Sequence, residues 1–258
     1  MDIYLSYYPQ TFLLVLARVL SIIGGTALFG KSSVPVQLRV SIGFIIALVF
    51  TPLVPSAWAV AAASLNTMPE LVFGVLGEIL LGGVIGLICD LFMSICLVAG
   101  QTIGFASSLT MSQAVDPVNG YSNNIVGLII QMTFFMLVLI SNAHLLLLKL
   151  LFGSFASVPP QLTWLSSDLL STILSLGTLM FEWGIKLAAP VLAGVLIIDA
   201  GFGLVSKMAP DFNILFLSLP VRLFAGMALF GLTIRYGGGL FNRLIETMMA
   251  YCAQVLTG

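Results

Sequence analysis

Leu76-Gly77-Glu78-Ile79-Leu80-Leu81-Gly82-Gly83-Val84-Ile85-Gly86 sets one carboxylate inside a run otherwise made of large apolar residues and glycine. An ionisable group in hydrocarbon costs about 2.5–3.5 kcal/mol, while each Leu, Ile, Val or Phe returns roughly 0.3–0.6. The run can still enter a bilayer, but Glu78 must then face protein or a water-filled path. Gly82 and Gly86 lie four residues apart, on one face of a helix, where small residues let a second backbone come close. Two readings of Glu78 follow. It is a polar contact between packed helices, which the flanking glycines favour, or it is an ion or proton site.

The same conflict runs through the whole chain. Of 258 residues, 60% are hydrophobic and 7% are charged, with a mean hydropathy of +1.16. No soluble domain hides that much apolar surface, so a bilayer or a large assembly must cover it. Yet Arg18, Asp90, Glu182, Lys186, Asp199 and Arg222 also fall inside or at the edge of apolar stretches. Six such stretches appear, near 11–29, 38–54, 71–99, 125–152, 169–206 and 214–236. A span takes about 20 residues. The expectation is therefore an all-α, polytopic membrane protein forming a single integral membrane domain over residues 1–258. The fifth stretch is too long for one simple span, and Pro190 within it predicts a helix break between two half-elements. Proline-bearing turns at Pro35, at Pro52 and Pro55, at Pro159-Pro160 and at Met208-Ala209-Pro210-Asp211-Phe212-Asn213 separate the segments. From Leu240 onward, Arg243 and Glu246 among apolar residues predict a short amphipathic helix. Lys31, Arg39 and Lys207 suggest one cytoplasmic side, but Arg235 and Arg243 then fall on the other, so six plain crossings satisfy the positive-inside rule badly.

Several function classes are excluded. Nine basic against ten acidic residues, with no basic tract, argue against nucleic-acid binding. Cys89, Cys96 and Cys252 lack CxxC spacing and read as reduced packing residues. Met1-Asp2-Ile3 offers no basic leader, so the first apolar run is expected to be a retained helix. His144 is the one histidine, with no second His or Cys nearby, so no metal site and no cofactor are expected. No HExxH, GxSxG or GxxxxGK[ST] occurs, and no catalytic residue set converges. Glu182 and Lys186, at i,i+4 with Glu first, predict a helical ion pair. Asp199 has no local partner. Arg18, Arg39, Glu78, Asp90, Asp199 and Arg222 are candidate polar contacts to neighbouring subunits.

One segment differs from its surroundings. Gly100-Gln101-Thr102-Ile103-Gly104-Phe105-Ala106-Ser107-Ser108-Leu109-Thr110-Met111-Ser112-Gln113-Ala114-Val115-Asp116-Pro117-Val118-Asn119-Gly120 is rich in glycine, hydroxyls and amides. Asp116-Pro117 and Asn119-Gly120 are turn signals. The reading is a central loop over 100–123 that folds back against protein, since irregular backbone at membrane depth is tolerated only where protein or a cavity receives it.

Read in order, these features resemble the FliR family, the R-type export-gate proteins of the bacterial flagellum, which also includes the T-type subunit of injectisomes. The resemblance rests on Ala17-Arg18-Val19 with Pro35-Val36-Gln37-Leu38-Arg39, Gly77-Glu78 with Gly82 and Gly86, the segment from Gly100 to Asp116-Pro117, and Met208 through Asn213. Asn142-Ala143-His144-Leu145 and Ala189-Pro190-Val191 add to it. It implies bent or broken helical hairpins packed in a multi-subunit helical gate of the bacterial inner membrane, within the flagellar basal body. It implies P-type and Q-type subunits, a B-type switch protein and an A-type export channel as partners, with unfolded substrates passing through. It also implies that the loop before Asp116-Pro117 helps plug the pore, through Phe105, Ser107, Leu109, Met111, Gln113, Ala114, Asp116 and Pro117. Met111, Gln113 and Ala114 stand where family members often carry aromatics, although Met can still fill a gap. The stretches from His144 to Leu150 and from Phe155 to Pro159 are more similar to flagellar than to injectisome members. A secondary transporter with buried carboxylates is the alternative from another class.

Overall fold

The computed structural model describes residues 2–26, 35–65, 67–109, 125–160, 167–209 and 213–257. Nine α-helices carry these residues: α1 (Asp2–Gly25), α2 (Val36–Phe50), α3 (Ser56–Ala63), α4 (Met68–Ala106), α5 (Ile125–Ile140), α6 (Ala143–Ser157), α7 (Ser167–Met208), α8 (Ile214–Tyr236) and α9 (Gly238–Thr257). A short 3-10 turn, Thr51–Leu53, follows α2. No strand occurs among the described residues. The chain is an all-α polytopic membrane protein. Val36–Leu53, Met68–Ala106, Ser171–Met208 and Phe216–Tyr236 are each long and apolar enough to cross a bilayer, and α5 with α6 makes a fifth if a bent pair counts as one span. Pro9–Gly25 is apolar but shorter.

Local chemistry explains several boundaries. Pro35 and Pro55 adopt extended backbone immediately before α2 and α3. A reciprocal capping box opens α4: Glu70 N–H donates to Thr67 Oγ1 (3.4 Å), and Thr67 N–H donates to Glu70 Oε2 (3.3 Å). The apolar run 125–152 is interrupted at Ser141-Asn142. Asn142 takes a left-handed conformation (φ 56°), and the helices on either side are bent by 65°. Asparagine tolerates that region better than most residues.

Two expectations are corrected. Pro190 does not break its helix, because α7 is helical through it from Ser167 to Met208. A proline deletes one backbone bond, while the surrounding ladder keeps every other polar group paired, as an apolar setting demands. The central loop does not begin at Gly100 either. Residues 100–106 extend α4 for nearly two turns, and the helix ends at Ala106. As straight helices, α4 and α7 would be roughly 58 and 63 Å long at 1.5 Å per residue, well beyond a hydrocarbon core of about 30 Å.

The chain divides into two compact units. The first holds residues 1–91, 138–176 and 245–258. In it α1 packs on α2 and α3, and α3 packs on α6. Edge-on aromatic pairs join Phe12 to Phe44, Phe50 to Phe152 and Trp58 to Phe155. The second holds residues 92–137 and 177–244, built from the latter part of α4, most of α5 and α7, all of α8 and the start of α9. Phe134 of α5 meets Phe241 of α9 there, with ring centroids 6.4 Å apart.

Candidate functional site

In the first unit, Arg18 of α1 reaches Glu78 of α4 with both ends of its guanidinium. Nε donates to Glu78 Oε2, and Nη2 donates to Oε1 at 2.9 Å. Nη1 donates to Ser154 Oγ of α6 (2.9 Å), and Nη2 also reaches the Val158 carbonyl (3.3 Å). Trp58 of α3 donates its indole N–H to that same carbonyl at 3.1 Å. The guanidinium lies over the rings of Phe155 (4.4 Å) and Trp58 (5.5 Å). Arg18 is fully buried, and Glu78 is 2% exposed. A planar guanidinium suits this place because it offers forked donors to a carboxylate and a flat face to aromatics. Arg18 and Glu78 were expected to contact neighbouring subunits. They instead neutralise each other inside one chain, and four helices converge on the pair. Of the two sequence readings of Glu78, this is the contact between packed helices.

Beside the pair, α1 and α4 touch almost backbone to backbone. A Cβ placed on Gly86 would lie 2.7 Å from Gly25 Cα, and one on Gly82 would lie 2.8 Å from the Arg18 carbonyl oxygen. Ser21 locks the contact by donating to its own helix at Arg18 O (2.9 Å) and lying 3.4 Å from Glu78 O. Gly82 and Gly86 therefore sit where the bidentate pair needs the two helices closest.

The second unit holds two further ion pairs. Asp199 of α7, without a partner in local sequence, meets Arg222 of α8 at 2.6 Å. The angle there is too poor for a directed hydrogen bond, so this is a charge contact. Both side chains stay about one-third exposed. Glu182 and Lys186 pair at 2.5 Å along α7 and are half exposed, with Lys186 over the Trp183 ring. Asp90 on α4 and Arg39 on α2 are half-buried.

Three residues expected in the plug are described. Phe105 is on α4 and exposed. Ser107 is fully buried just past the helix end, and Leu109 is half-buried. Met111, Gln113, Ala114, Asp116 and Pro117 lie outside the described residues, as do Lys31 and Pro210 to Phe212. Among the described residues, no three His, Cys, Asp or Glu side chains gather as a metal set.

The family model described as "Bacterial export proteins, family 1" matches residues 10–248. The chain belongs to this family. Curated relatives of this export family carry the name flagellar biosynthetic protein FliR. One from Pectobacterium carotovorum is 26% identical over 246 residues, covering 93% of this chain and 90% of its own. One from Escherichia coli K12 is 27% identical, covering 83% and 80%. One from Bacillus subtilis is 25% identical, covering 99% of each. The FliR resemblance drawn from ordered motifs and the family match thus agree. For this member of the export family, sequence reasoning missed Ser154, Trp58 and Phe155 around Arg18, and Gly25 opposite Gly86. A Ser in an apolar helix beside a Phe carries no signal of its own. Sequence reasoning also passed over the capping box Thr67-x-x-Glu70, whose pattern marks the start of α4.

Proposed function

We propose that this chain is a core subunit of the flagellar type III protein export gate, lodged in the bacterial inner membrane within the basal body. The family match along residues 10–248 carries the reading. Together with P-type and Q-type subunits its helices complete the wall of a channel for unfolded substrates, in company with a B-type switch protein and an A-type export channel. The subunit binds no cofactor and carries out no covalent chemistry. Arg39 and Asp90 are proposed as contacts to those partners. The half-exposed pair Glu182–Lys186 and the one-third-exposed pair Asp199–Arg222 support surroundings of protein or water, since charged groups facing lipid are costly. The central segment, from Phe105 to Pro117, helps close the pore at rest, because entering an apolar constriction strips ions of water.

A secondary transporter draws less support. The carboxylate it would need at Glu78 is neutralised by Arg18, and the helix it would break at Pro190 is continuous. The relatives' names favour the flagellar over the injectisome branch. Deleting residues 107–114 tests the plug: the assembled complex should leak ions, and an assembled complex with unchanged leak would overturn that assignment.

A further inference from the structure

We infer that Gly226 is a positioning residue that sets where α4 gives way to the central segment. Arg222, Gly226 and Leu229 follow at i, i+4 and i+7, on one face of α8. Arg222 meets Asp199, and Leu229 would crowd a Cβ at Gly194, so both hold α8 against α7. Gly226, between them, meets Ser107, the first residue beyond α4. A Cβ at 226 would lie 2.2 Å from Ser107 Cβ and 3.2 Å from its Cα. Ser107 cannot easily yield. It is fully buried, its Oγ donates to Ile103 O at 2.6 Å, and its N–H donates to the same carbonyl at 2.9 Å. The next residue, Ser108, has φ 60°, so the chain leaves the helix at this point. Nor can α4 swing away as a whole. A Cβ at Gly100 would lie 2.1 Å from Gly127 Cα, so α4 and α5 are in backbone contact about two turns earlier. Any added bulk at 226 therefore displaces the turn at Ser107–Leu109, the root of the central segment.

This inference rests on the proposed closure role of that segment. Its test uses the full complex in membranes, with ion leak read per assembled complex. G226A should raise the leak severalfold. The double variant S107G/G226A should return it toward the wild-type level, since removing the Ser107 Cβ leaves the 3.2 Å contact to Cα as the closest approach. G231A on the same helix, where a Cβ meets open space, should be silent. A G226A leak no greater than that of G231A, or one the double variant leaves unchanged, would overturn the inference. The 107–114 deletion separates the two ideas: without leak from it the closure role itself fails, whereas leak from the deletion but not from G226A defeats only the role given to Gly226.

Discussion

Arg18 shows what a single residue does in this protein. Its guanidinium ties α1, α4 and α6 through hydrogen bonds and lies between aromatic rings from α3 and α6. Removing one member of a buried pair strands the other charge and costs about 3–5 kcal/mol, whereas replacing both with apolar residues is often neutral. R18M alone should therefore sharply lower the thermal stability of detergent-purified protein, and R18M/E78L should recover most of it. Equal loss in both variants would mean the pair itself is not what holds these helices. Gly86→Val should fail in the same assay, because its side chain meets the Gly25 backbone. At this scale the sequence made half the site legible. The penalty on Glu78 and the small face of Gly82 and Gly86 were readable from spacing. The partner 60 residues away was not, because helix periodicity orders neighbours within one helix and says nothing of which helix comes alongside.

Among the elements, boundaries were legible where the chain carries turn chemistry and illegible where apolar pressure overrides it. Pro35 and Pro55 mark the starts of α2 and α3. Pro190 carries an equally strong local signal, yet α7 passes through it, since an unpaired backbone is dearer than a strained one in an apolar setting. The glycines, amide and hydroxyl of residues 100–106 suggested a loop, but Gly100 is used for contact with Gly127, and α4 continues. The true break in the 125–152 run is at Asn142, one left-handed residue. Asn142→Gly should preserve stability, and Asn142→Val should cost about 1–2 kcal/mol by forcing a β-branched residue into that region. Thermal melting of the two variants compares them directly. At the start of α4, Thr67→Ala should cost about 1 kcal/mol through loss of the cap, readable in the same way.

For the molecule as a whole, composition announced the membrane and little else. Large apolar side chains such as Phe216, Phe224, Ile197 and Leu196 remain exposed on the single chain, and so do ion pairs on α7 and α8. A lone subunit in lipid would cover the first and leave the second poorly solvated; a subunit walled in by protein covers both. The division into two compact units was not legible, because α4, α5, α7 and α9 each contribute to both and no composition change marks the boundary. The central claim is that this chain works only within a multi-subunit gate. Its most direct test is the native mass and composition of the complex carried by the tagged chain in mild detergent. The account predicts co-purification of small hydrophobic P-type and Q-type subunits in unequal ratio; a stable monomer that moves a small solute across vesicles unaided would contradict it.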